Sequence, residues 1–259
     1  LHKEYRRQRQ MCIRDRDDEL FFIDKKGNKV IGGLSKAFLS NEGYRVVQKG
    51  SAFGAIDSTG AVVIPIEYTN SLTSVNNGRL GVQKNASWFY VDMKGQIVSD
   101  KYDRIGNFHQ GYASVCLNKL WGAIDLQNRV VVPLEWQGVA PIVDPKLIWV
   151  KKDNLYYLYD GVQKSVRLKQ GFANVSNFDN EMAYVMSDGK WGIIDPDGKV
   201  LVPCLFEKEE DMVLAKQYML AEDKKNLTEI EALRVIARFD PDTNMFKITS
   251  VIPDKHWDY

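Results

Sequence analysis

KWGIIDPDGKVLVPCLF, residues 190–206, decides the reading of this chain, because its layout returns at a fixed distance. An aromatic-Gly pair leads into an apolar-Asp step, a four-residue turn ending in Gly198, a Val/Leu run, a proline and a second aromatic. The same order stands in FGAIDSTGAVVIPIEY at 53–68 and in LWGAIDLQNRVVVPLEW at 120–136. The aspartate closing each step marks the period: Asp24, Asp57, Asp92, Asp125, Asp160 and Asp195 are separated by 33, 35, 33, 35 and 35 residues. Steady periods of about 20–50 residues mark solenoids, propellers or arrays. The chain is read as six repeats.

Each repeat divides into three short strands. Ten residues before the last five aspartates stands a valine (Val47, Val82, Val115, Val150, Val185), and two residues earlier Arg45, Leu80, Ala113, Ile148 or Ala183. In a strand of period two these form one face, mostly apolar and expected to be buried. The opposite face, at 44/46, 79/81, 112/114, 147/149 and 182/184, mixes residue types and is expected to be the outer surface. A polar turn then leads to the second strand and its aromatic, followed in three copies by Gly54, Gly122 or Gly192. A glycine inside a strand predicts a bulge or a close backbone approach. Phe89 and Tyr157 stand at that place in two degenerate copies. Asp-x-x-Gly, with Asn128 for Gly after Asp125, predicts a turn: Asp accepts backbone N–H groups, and Gly or Asn tolerates the left-handed conformation. In the fifth copy Asp160 runs directly into Gly161, which predicts a turn two residues shorter. Pro65, Pro133 and Pro203 are expected to end the third strand or to mark an edge. The connector carries an apolar residue seventeen before the next Asp, at Val75, Phe108, Val143 and Phe178.

One such unit buries too little surface to persist alone, so neighbours must stack. The expected fold is all-β: a tandem array of about six small antiparallel units of three short strands each, open and curved. A closed six-bladed β-propeller is the alternative, against which 33–35 residues is short for a four-stranded blade.

Outside the array the composition shifts. Residues 1–16, LHKEYRRQRQMCIRDR, hold six of the 35 Lys/Arg and two of the 34 Asp/Glu, so the formal charge of +1 becomes −3 without them. They lack periodicity and the apolar core of a signal peptide, and YRRQRQMCIRDR resembles a translated sequencing adapter. They are excluded from the fold as non-native and disordered, with the native N-terminus expected upstream. The repeat array is assigned to 17–206 and a capping segment to 207–259. In the latter, 207–227 is open between helix and strand, and LRVIARF, the turn at 240–244 and MFKITSVI predict a hairpin.

KWGIID, LWGAID and FGAID, each followed by a Val-rich strand, a Pro and an aromatic, resemble the WG repeat (WG β-repeat) of bacterial proteins over roughly residues 20–206. That resemblance implies tandem all-β units acting as a binding or scaffolding module, with no catalytic residues to carry over.

The residues themselves single out no reaction. The three histidines, His2, His109 and His256, are too few and too scattered for a His-dependent triad or a two-histidine metal site. The aspartate ladder reads as turn capping, since DPDG at 195–198 and DPDTN at 240–244 lack calcium-loop spacing. Cys116 and Cys204 read as small buried hydrophobes. No cofactor, metal or nucleic acid is expected, and no apolar run reaches the ~20 residues of a membrane-spanning helix. Trp149 and Tyr184 are the candidate partner-binding residues: they hold the outward position of the first strand, where other copies have Val, Gly and Ser. Exposed aromatics there suit a peptide or a sugar, while covering a seam between units is the competing role. The expected function is a non-enzymatic protein-interaction or scaffolding module. A carbohydrate-binding module at the cell surface and an enzyme with its site in a propeller channel are the alternatives. The sequence favours no cellular compartment.

Overall fold

The computed structural model describes residues 12–14, 20–23, 28–208, 235–240 and 245–251. Its chain divides into two compact units, Leu1–Val143 and Asp144–Tyr259. All regular structure among the described residues is β, every pairing in the six small repeat sheets is antiparallel, and no sheet closes into a barrel.

The second repeat shows how a unit is built. Lys36–Ala37, Arg45–Lys49, Ala52–Ile56 and Val62–Tyr68 lie side by side in that order. The three longer strands are those read from the sequence, and the two-residue strand comes from the connector. A period of 33–35 residues therefore does accommodate four strands. Two-residue turns join the first strand to the second. Asn118 and Lys119 (φ 54° and 67°) and Asp188 and Gly189 (φ 53° and 74°) are both left-handed, the mirror-image turn that matches strand twist.

The ladder aspartates close the next turn as expected. Oδ1 of Asp57 accepts the N–H of Thr59 and Ala61; Asp92 receives Lys94 and Gln96, Asp125 receives Gln127 and Arg129, and Asp195 receives Asp197 and Lys199. Gly60, Gly95, Asn128 and Gly198 follow with φ of 88°, 76°, 59° and 82°. Asp24 and Gly27 lie outside the described residues. The fifth turn corrects the expectation. It is one residue longer than the others, because Asp160 pairs with Ser165 whereas Asp57 meets Ala61. Lys164 takes the left-handed place (φ 55°), and the N–H of Gly161 is satisfied by Pro145 O.

The glycine after the aromatic is required by space. A Cβ on Gly122 would lie 2.5 Å from Val132 O, and on Gly54 or Gly192 2.6 Å from Ile64 O or Val202 O. Opposite each lies a bulge: Phe53 and Ala55 pair with Tyr68 and Ile64, so three intervening residues face one. The prolines sit in that bulge. They do not end the strand, which runs on to Tyr68, Trp136 or Phe206, but they are confined to the sheet's outermost strand, where a missing N–H does least harm. Where Phe89 and Tyr157 replace the glycine, the continuous outer strand is lost. In its place stand the bridges Trp88–Tyr102 and Val91–Ile97 in one repeat, and Ser165–Val166 with the bridge Tyr156–Phe172 in the other.

Both faces of the first strand are buried, which overturns the assignment of one face to the surface. Val47 packs with Phe22, Leu34 and Ile56, toward the first sheet. Its neighbour Val46 packs with Val75, Leu80, Val82 and Phe89, toward the third. Tyr90, Phe108, Val115 and Ile124 continue the series between the third sheet and the fourth. Each full burial of such a side chain contributes about 1.5–3 kcal/mol, so a unit is stabilised chiefly by its neighbours. Arg45, on the apolar face, is accommodated by donating to Phe38 O at 2.5 Å and lying over the Phe22 ring. Val143 is 42% exposed, and Ile142 is buried beside it.

Cys12–Arg14, within the stretch set apart from the fold, pairs antiparallel with Leu20–Ile23. Val235–Asp240 and Met245–Val251 form the expected hairpin, while 209–234 and the turn at 241–244 lie outside the described residues.

Candidate interaction surface

The residues most open to a catalytic or ligand-binding reading have structural work. In three ladder aspartates the carboxyl is held below its ordinary value. For Asp57 the Thr59 hydroxyl is the main cause; for Asp92 it is the Gln96 N–H; at Asp125 burial pushes the carboxyl up but is outweighed by the Arg129 N–H and guanidinium. Burial pushes up the thiols of Cys116, which is buried, and Cys204, which is half-buried.

Trp149, expected on an outer face, is buried at 2% exposure. Its ring stacks on Phe178 with centroids 5.8 Å apart, meets Phe172 edge-on, and its Nε1 donates to Ser176 O at 2.8 Å. It therefore offers no plane to a sugar or peptide. Tyr184 is half-buried, and its backbone N–H donates to the Ser176 hydroxyl. Both residues meet Ser176, and neither forms an exposed aromatic platform.

Two other features recur with the period. The first is a set of two-residue turns ahead of the first strand: Glu42-Gly43, Asn77-Gly78 and Gln110-Gly111 are left-handed at both positions, and Asn180-Glu181 repeats the geometry. In the unit Leu1–Val143 these turns are linked. The Glu42 carboxylate accepts the N–H of Asn77 and Gly78 at 2.7 and 2.8 Å, and Asn77 Oδ1 accepts that of Gly111 at 3.1 Å. The second is a β-branched aliphatic five or six residues after each ladder aspartate. Val30, Val62, Ile97, Val130, Val166 and Val200 are 43, 50, 60, 43, 39 and 42% exposed, although in the first repeat it is Lys29, opposite Ile23, that holds the register place Val62 holds opposite Ile56. Val62, Val130 and Val200 open the outermost strand of their sheets, opposite Ile56, Ile124 and Ile194, whose side chains are buried. Sequence reading passed over this position because it lies in the Val/Ile run taken as a strand, and the bulge that follows breaks the alternation that separates its two faces.

Residues 53–88, 88–121, 121–156 and 191–208 each match the motif described as the WG containing repeat. The chain carries WG repeats. These WG repeats are the units whose aspartate turns and bulges are described above. No curated protein matches the sequence. Among solved structures, similarity extends to a eukaryotic initiation factor (12% identity, TM-score 0.48, covering 70% of this chain and 59% of that one). It also extends to Hsv2p of Kluyveromyces lactis (8%, 0.42, 69% and 71%) and to the C-terminal WD40 domain of Sif2 (11%, 0.35, 69% and 61%). The WG-repeat chain thus spans 59% of the initiation-factor chain. No helix among the described residues is long and apolar enough to cross a membrane.

Proposed function

We propose that this WG-repeat array is a non-enzymatic protein-interaction module whose contacts centre on the exposed aliphatic row. The observation that carries the reading is the repetition of that residue. A single exposed valine on a protein surface needs no explanation. Five repeats placing Val or Ile opposite the residue that precedes the ladder aspartate, each at least 39% exposed, do. Strand propensity alone does not account for them, because threonine has the same β-branched stiffness without apolar exposure and stands at none of the five. The reading is supported further by the ladder carboxylates and seam aromatics, which are engaged in holding the repeats together.

The test replaces Val62, Ile97, Val130 and Val200 together by Thr and places a photo-crosslinking side chain at Gln96, beside Ile97. The expected result is an adduct of one discrete size with the wild-type row in the host cell, absent from the Thr variant at an unchanged melting temperature. An adduct that survives the four substitutions, or no adduct with either protein, would overturn the reading.

A further inference from the structure

The fifth repeat, whose turn is lengthened and whose outer strand stops at Val166, is also where a recess of about 610 Å³ opens. Asp160 lies in its lining with its side chain 7% exposed, and its Oδ1 accepts the N–H of Val162 and Gln163 at 2.9 Å each. Its Oδ2 stands 4.0 Å from Arg167 Nη1, an ion-pair distance too long for a hydrogen bond. The other terminal nitrogen of Arg167, Nη2, donates to Asp197, a residue of the sixth repeat's turn whose side chain is 80% exposed. Arg167 is thus held between a fixed buried carboxylate and a freely solvated one. The Lys146 ammonium and the Ser165 hydroxyl line the same recess and have no partner among the described residues.

We propose that this recess is a carboxylate-binding site, with Arg167 as its anchor and Asp197 as the group that an incoming ligand displaces. Asp197 engages Arg167 through one oxygen only, whereas a free carboxylate presents both oxygens to the guanidinium fork and reaches Lys146 and Ser165 as well. Charge sets the class of ligand. With Asp197 displaced, Lys146 and Arg167 exceed Asp160 by one positive charge, which a single carboxylate neutralises and a dianionic phosphate exceeds. The carboxylate can belong to a small acid or to the C-terminus of a peptide, and the site does not depend on the aliphatic row's being a partner surface.

The experiment follows backbone amide shifts of the whole chain during titration with propionate, with an acetylated dipeptide bearing a free C-terminus, and with inorganic phosphate at matched ionic strength. Saturable shifts at Gln163, Ser165 and Arg167 are expected with both carboxylates and weaker ones with phosphate. Tighter binding of propionate assigns the site to a small acid, and tighter binding of the dipeptide to a chain terminus. Asp197→Asn removes the competitor and should tighten binding by about two- to five-fold, the range of an exposed ion pair. Arg167→Gln should abolish saturation, and Lys199→Gln, outside the recess, should leave affinity unchanged. Shifts that grow linearly with ligand, or an Asp197→Asn protein that binds no tighter than wild type, would overturn the proposal.

Discussion

Gly122 lacks a side chain because the space is already occupied, and Gly43 because its backbone is left-handed with open space around it. The two glycines should respond differently to alanine. Gly122→Ala forces a methyl to within 2.5 Å of Val132 O and should cost about 1–3 kcal/mol or more, as overpacking does. Gly43→Ala meets only the conformational penalty, roughly 1–2 kcal/mol. Urea denaturation of the two variants measures the difference. Titration acts at the same scale. The carboxyls of Asp57, Asp92 and Asp125 are depressed below the ordinary 3.8, so their contribution is fully present above that value and lost as pH falls through their lower folded values. Melting temperature should therefore drop below about pH 4, and less steeply in Asp125→Asn. Tyrosines act at the alkaline end. Burial, with Asp100 nearby, pushes Tyr102 up to about 12, and burial pushes Tyr90 higher. Stability they contribute is intact below pH 10.0 and lost as pH rises through the folded values, so tyrosinate absorbance from this pair should appear only with unfolding.

At the scale of the element, Phe89 shows that a degenerate copy is a different packing solution and not a damaged one. It stands where other repeats have the bulge-facing glycine, is 4% exposed, and meets the Tyr68 ring edge-on at 6.0 Å. Phe89→Gly should accordingly fail to restore a continuous outer strand and should destabilise by about 3–5 kcal/mol, measured by urea denaturation and amide exchange over residues 96–102. The order of the three longer strands, the aspartate turns and the crowded glycines were legible from the sequence because each rests on local chemistry that one residue type supplies. The covered outer face of the first strands was not, since Val46, Gly81 and Trp149, which are buried, and Ser114, which is half-buried, share no pattern. Nor was the fifth turn, where spacing between Asp160 and Gly161 misleads because Lys164 adopts the left-handed geometry that glycine takes elsewhere. Trp149 stands out in the sequence as an aromatic at the outward strand position, and the stacking on Phe178 that buries it comes from a connector whose approach no local pattern announces, while the exposed valines are hidden among the strand residues.

At the scale of the molecule, stability is held in the cores between sheets, and damage should travel no farther than the next sheet. Leu80 packs with Val46, Ile64 and Tyr68 of the preceding repeat, so Leu80→Ala should cost about 2–5 kcal/mol. Amide protection should fall across Arg45–Ile56 and Arg79–Asp92 and hold nearly unchanged in Tyr112–Trp136, the signature of nearest-neighbour coupling. The linked turns give the first unit a polarity as well. Glu42 supplies an acceptor forward to Asn77 and Gly78, and Asn77 does the same for Gly111, so these two links from side chain to turn amide face the same way. A duplicated segment that brings both its amides and its acceptor can be spliced head to tail, finding a ready acceptor behind and a ready donor ahead. A fragment of half that length would break the chain of links, so lineages of such proteins should gain and lose whole periods of about 35 residues, the separation that joins Asn41 to Asn76.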